Sequence, residues 1–188
     1  MKNLYLIGGG GHCKSCIDVI EQMAEYQILG IFDIENNIGK DVLGYEIIGT
    51  DSEISEYIKD DNYFLITIGQ IKDPSPRVKL FNLNLNFATI ISPRAYVSKH
   101  ASVGAGSIVM HDALVNAGAT IGLNCIINSK ALIEHDAVVG DHCHISTACV
   151  INGNCSIGEK TFIGSNTTLK NGNEVVANSI VSYGRTYE

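Results

Sequence analysis

From Ile91 to Val181 every sixth residue is Ile, Val or Leu, with no exception. The residue four places after each is nearly always small, from Ala95, Ala101 and Ser107 to Cys155, Thr161 and Thr167, and as far as Thr167 neither position carries a charge. A helix repeats near 3.6 residues and a half-buried strand at 2, so a period of six with two inward positions fits neither. It fits a prism-shaped coil in which each hexad forms one flat face. The branched residue fills the core and the small residue sits where the chain turns the corner. Three hexads close a turn of 18 residues, so residues 91–188 build about five turns, stacked into a column roughly 24 Å tall. Branched residues at non-core positions, Ile108, Leu114, Ile126, Leu132 and Val138, point outward and leave apolar surface on a lone coil.

The first 90 residues follow a different pattern. Leu4 to Ile7 reads as a buried strand, followed by the glycine turn Gly8-Gly9-Gly10-Gly11 and His12. Cys13 to Met23 has helical apolar spacing, and Ile28 to Phe32 is a second strand ending at Asp33. A loop with two glycines then leads to a helix around Ser52 to Ile58. Phe64 to Ile68 is a third strand, Pro74 and Pro76 open a helix reaching Leu83, and Phe87 to Ile91 is a fourth strand. This alternation predicts a small Rossmann-like parallel α/β sheet over residues 1–90, with Ser92-Pro93 as the hinge.

Composition narrows the function. Of 188 residues 45% are hydrophobic and 18% charged, with mean hydropathy +0.13, which excludes a disordered chain. The net charge of −7 argues against a nucleic-acid binder, which needs a basic face. No apolar run reaches the ~18 residues of a membrane span, and the N-terminus lacks the apolar core of a signal peptide. A cytoplasmic location is expected. Cysteines there are free thiols more often than disulfides. Cys13-x-x-Cys16 suits a redox pair, half a zinc site or plain packing, whereas Cys125, Cys143, Cys149 and Cys155 fall on small corner positions of the coil.

Gly8 to Cys13 departs from the dinucleotide fingerprint at its third glycine. Glycines there still let a phosphate approach the N–H groups opening a helix, and Asp33 lies where an acid reads a nucleoside. The segment is too short for a dinucleotide, which leaves a mononucleotide or nucleotide-sugar site, or a structural turn. The remaining histidines, His100, His111, His135, His142 and His144, lie in the coil. Its core offers them no polar partner, so they point outward or sit at corners. His135 stands out: Glu134 and Asp136 flank it and can orient it as a base, and one turn either way brings Ala117 and Gly153, which leave room around it.

On the N-terminal strand with Gly8 to His12, Asp33, Ile91-Ser92-Pro93-Arg94-Ala95, Glu134-His135-Asp136 and the hexad repeat, the chain resembles the hexapeptide-repeat sugar O/N-acyltransferases. It looks most like the bacillosamine-type UDP-4-amino-sugar N-acetyltransferases, and then like the sialic acid O-acetyltransferases. The resemblance implies a left-handed parallel β-helix for residues 91–188. It also implies acetyl-CoA as co-substrate without a metal, and a homotrimer with active sites between subunits. His135 would be the general base, Asp136 its orienting partner and Asn128 a holder of the attacking amine. His144 and the Gly153 N–H would lie near the acetyl carbonyl. Gly8, Gly9, Gly10, Gly11 and Asp33 would hold the UDP portion, with His12 near the phosphates or sugar. Two departures stand out: Ile34 replaces the second acid that relatives carry beside Asp33, and Ser182 to Glu188 lacks their Gly-x-Pro-Ala-Lys tail. Rival readings are a zinc lyase of the carbonic-anhydrase kind, since a sister family places three histidines around a metal, and a non-catalytic sugar-nucleotide binding protein.

Overall fold

The computed structural model describes residues 1–187; Glu188, the last residue of the expected coil segment, lies outside them. Strand β1 (Lys2–Ile7) is buried from Leu4 to Ile7, as a strand between two parallel neighbours must be. Those neighbours are β2 (Tyr26–Phe32) and β5 (Asn62–Ile66). Helix α1 (Gly11–Met23) crosses from β1 to β2 and buries Cys13, Cys16, Ile17, Val19 and Ile20. Both thiols are packing groups there, and burial pushes Cys13 up to about 11 and Cys16 higher still.

Three expectations for this half need correction. The loop before Thr50 contains a hairpin of β3 (Asp41–Val42) and β4 (Tyr45–Gly49), turned by Leu43 and Gly44 with φ of 53° and 87°. Both angles suit a two-residue hairpin turn. β4 then pairs parallel with β2, giving the order β3-β4-β2-β1-β5. The expected helix near Ser52 is a 3₁₀ segment, Asp51–Tyr57. Its inward residues Ile54 and Tyr57 are three apart, the repeat on which 3₁₀ side chains eclipse. The fourth strand splits: Phe87 makes an isolated bridge to Phe64, while Ile90–Ile91 pairs with Ile108–Val109 of the coil. α2 (Ser75–Phe81) lies between β5 and that step.

The coil is a three-sided parallel β-helix of two-residue strands. Its first face runs Ile90–Ile91, Ile108–Val109, Ile126–Ile127, His144–Ile145, Phe162–Ile163 and Ile180–Val181. The second face starts at Tyr96–Val97 and the third at Ser102–Val103. The hexad residues from Val109 to Leu169 are almost completely buried. Corners repeat too: Asp112, Asn124, Lys130, Asp136 and His142 all have φ between 51° and 61°, with glycines at 106 and 118. Where the small inward residue is polar, it donates to a carbonyl fifteen residues on. Cys125 Sγ reaches Gly140 O at 3.1 Å, Cys149 Sγ reaches Gly164 O at 3.0 Å and Thr167 Oγ1 reaches Ser182 O at 2.9 Å.

The N-terminal half sits on the first face. Ile108 and Ile126 are fully buried in one cluster with Ile90, Met110 and the apolar side of α1. The expectation that they remain as outward apolar surface is therefore corrected. Leu114 and Leu132 are half-covered and Val138 stays 45% exposed.

Candidate active site

The carboxyl ends of β1, β2, β4 and β5 surround a crevice of about 550 Å³, lined by Gly8, Asp33, Thr50, Asp51, Ile68 and Lys79 among others. β1 is where the strand order switches direction, the place where α/β sheets take ligands. Gly8 has φ +108°, and a side chain there would run into Ile68. A β-carbon on Gly9 would stand 2.9 Å from Asp33 Oδ2, whereas Gly10 and Gly11 face open space at the start of α1. Asp33 Oδ2 accepts a hydrogen bond from Asn37 Nδ2 at 2.9 Å. A second acid, unanticipated from sequence, enters beside it. Burial raises the Asp51 carboxyl pKa, Lys79 opposes this and Asp33 adds to it. Ile34 lines the same crevice. The signal for Asp51 was present: Thr50 and Glu53 form a capping box immediately after β4. It went unused because β4 itself was not foreseen.

His12 does not line this crevice. It turns toward Gly69 between the two halves, where burial, then Arg77, then His144, hold its pKa down to about 3. It is a neutral ring, able to offer a hydrogen bond but no positive charge.

A second group joins the halves. Arg77, 1% exposed on α2, donates to the carbonyls of Ile66 and Ile68 and to both oxygens of Asn124 in the coil. Asn124 Nδ2 lies 3.0 Å from His142 Nδ1, and Gln70 Nε2 donates to His142 O at 2.9 Å. His142, to which sequence gave no role, is thus a buried docking residue, packed edge-on against Phe81. His144 meets the Gln70 carbonyl through Nδ1 and Asn128 Nδ2 through Nε2, the latter at 3.2 Å. Burial lowers its pKa to about 4. His142 and His144 do leave the coil core as expected, but the N-terminal half covers them.

The third group lies at the corner between the second and third faces. His135 Nδ1 is 2.9 Å from Asp136 Oδ2, and both side chains are more than half exposed. Since the carboxylate accepts from Nδ1–H, Nε2 presents a lone pair. Glu134 is held at 2.7 Å by Asn116 Nδ2 and accepts from the His135 N–H at 3.3 Å. Glycines make the room: a β-carbon on Gly153 would lie 2.7 Å from His135 Cε1 and Nε2, and one on Gly118 would overlap the Asp136 carboxylate. Within one chain, then, His135, Asp136 and Gly153 are together, and Asn128 and His144 are together on and beside the first face.

Known proteins match both halves. Residues 3–82 fit the PglD N-terminal domain model, and residues 136–171 fit the bacterial transferase hexapeptide model with six repeats. The acetyltransferase domain of PglB from Neisseria gonorrhoeae FA1090 superposes with TM-score 0.92 at 25% identity, covering 100% of this chain and 92% of that one. That domain is also solved in complex with acetyl coenzyme A. PerB from Caulobacter crescentus, in complex with CoA and GDP-perosamine, superposes with TM-score 0.90 at 28% identity over 100% of this chain and 89% of its own. The uncharacterized protein L142 of Acanthamoeba polyphaga mimivirus is 32% identical over 106 residues, 56% of this chain; the chain spans 21% of that protein's length. No helix among the described residues is long and apolar enough to cross a membrane. The fold is a small Rossmann-like domain followed by a left-handed parallel β-helix of hexapeptide repeats, and over its full length the chain is similar to the PglB acetyltransferase domain.

Proposed function

We propose that the chain transfers the acetyl group of acetyl-CoA to the amine of a UDP-linked 4-amino-4,6-dideoxy sugar, in the cytoplasmic supply of bacterial surface sugars. The observation that carries this reading is the His135–Asp136 pair, with Nε2 unengaged over a bare Gly153. A thioester is already activated, so an amine needs positioning, a base and a partner for the developing oxyanion. The amine nitrogen attacks the carbonyl carbon, His135 Nε2 takes the ammonium proton, and the C–S bond breaks as that proton passes to the departing thiolate. The crevice at Gly8, Asp33 and Asp51 suits the nucleotide, and Gly10 and Gly11 leave room for phosphates at α1.

A homotrimer completes this site. His135 and the Asn128–His144 pair occupy different parts of the prism, so a neighbouring copy must bring them together around one substrate. The second face supports such packing: Tyr96, Leu114, Leu132 and Val150 stack in register as an outward apolar column, with Tyr96 60% exposed. Thiol release from acetyl-CoA, measured across UDP- and GDP-linked amino sugars and free hydroxy sugars, tests the function. The reading expects turnover with the UDP-amino sugar. PerB favours a second reading, in which the nucleotide is GDP and the chemistry unchanged. Turnover confined to hydroxy sugars, or none at all, would defeat both.

A further inference from the structure

The bonds around His144 fix where its proton sits, and with it what the ring can do. Its Nδ1 faces the Gln70 carbonyl oxygen, which only accepts, so Nδ1 carries the hydrogen. Its Nε2 faces Asn128 Nδ2 at 3.2 Å. The amide of Asn128 cannot be turned round, because Asn128 Oδ1 already accepts the Ser129 N–H at 2.8 Å, and a reversed amide would set donor against donor. Nε2 is therefore a bare acceptor. The charged groups around the ring agree: Arg77 is a cation nearby and His12, also close, is neutral. The edge of Phe162 closes another side, with ring centroids 5.2 Å apart.

We propose that His144 is a positioning residue: held in its Nδ1–H form by the Gln70 carbonyl, it receives a hydrogen bond at Nε2 that orients the Asn128 amide toward the sugar amine. This role rests on the proposed acetyl transfer and differs from the one implied by resemblance. A ring without a proton on Nε2 cannot donate to the acetyl carbonyl oxygen. That task falls to the Gly153 N–H, which no group of the chain accepts among the described residues. The polarity of the transfer site is thus set from the nucleotide-binding half. The strand leaving β5 lines the crevice at Ile68 and reaches His144 two residues later at Gln70. Gln70 is itself pinned by its side-chain bond to His142 O.

The tautomer can be read on the full wild-type chain by long-range ¹H–¹⁵N spectra of labelled histidine, assigned through bonds to residue 144. One ring should show protonated Nδ1 and unprotonated Nε2, unchanged from pH 8 to pH 5.5. A proton on Nε2, whether in the other tautomer or in an imidazolium, overturns the proposal. Kinetics gives a second reading. In His144→Asn the carboxamide can keep the Gln70 bond but offers nothing at Nε2, so kcat should fall about 10²-fold for a misplaced partner, with the KM for acetyl-CoA nearly unchanged. His144→Gln returns an acceptor oxygen at that point and should recover most of the rate. A raised KM for acetyl-CoA at retained kcat in His144→Asn would assign the ring to the thioester and sink the proposal. An inactive wild-type chain would refute the acetyl-transfer reading alone, while the spectra still decide the tautomer.

Discussion

The His135 ring occupies the space that a side chain at position 153 would need: a β-carbon on Gly153 would stand 2.7 Å from both Cε1 and Nε2. Gly153 does not have a positive φ, so alanine fits its backbone and only the ring must move. Gly153→Ala should therefore lower kcat about 10²-fold by displacing the base, with a melting temperature close to wild type. An unchanged kcat would mean that the ring's position is not important for turnover.

Removing the base itself should cost more. His135→Ala should reduce kcat by about 10²–10⁴-fold, with little effect on binding of either substrate, because the side chain is half exposed and packs no core. Asp136→Asn should cost less, since it disturbs the tautomer and leaves the imidazole in place. Any acid-side limb of the rate profile that belongs to the base should vanish in His135→Ala. A retained limb would assign it to another group.

Asp51 provides a test of the crevice apart from the chemistry. Replacing a carboxylate that bonds a nucleobase typically forfeits a charge-assisted hydrogen bond, so Asp51→Asn should raise the KM for the nucleotide sugar about tenfold or more. The kcat should stay near wild type. Calorimetric titration with UDP and GDP on this variant and on Asp33→Asn would show which base each carboxylate reads; equal affinity in all three proteins would remove both acids from the site.

The interface between the halves should be acid-labile. His12, His142 and His144 all have folded pKa values below the free value of 6.5, His144 at about 4 and His12 at about 3. Between those values the unfolded chain binds more protons, so stability falls as pH drops below 6.5 and levels off once the folded rings protonate. His144 alone accounts for roughly 3 kcal/mol over that interval. Melting curves from pH 7 to pH 4 should show this loss, and His144→Gln should flatten it.

The coil was legible because its branched inward position repeats without exception from Ile91 to Val181, and a period of six has no competitor. Cys143 illustrates the gain: its place in the hexad marked it as packing, and burial pushes its thiol up to about 12. The N-terminal half was less legible where local signals were atypical. A hairpin turned by Leu43-Gly44 lacks the Asn-Gly signature, so β4 went unseen, and Asp51 with it. The histidines divide in the same way. His135 was found because its acids are adjacent in sequence. His142 and His144 take their character from Gln70, Arg77 and Asn124, which the chain brings to them only on folding.

The left-handed corner that recurs every six residues restricts how such a chain can change in length. One added residue within a face would shift every later corner out of phase, turning Ile145 and Ile151 out of the core and bringing the charged Lys160 onto the buried position of Thr161. Eighteen added residues would restore the phase and merely lengthen the column by one layer of ~4.8 Å. Growth and shrinkage of this half are therefore quantised, and turns can be gained or lost beyond Leu169 without touching His135, Asn128 or the docked domain. Column height can vary in steps while the geometry of the transfer site stays fixed.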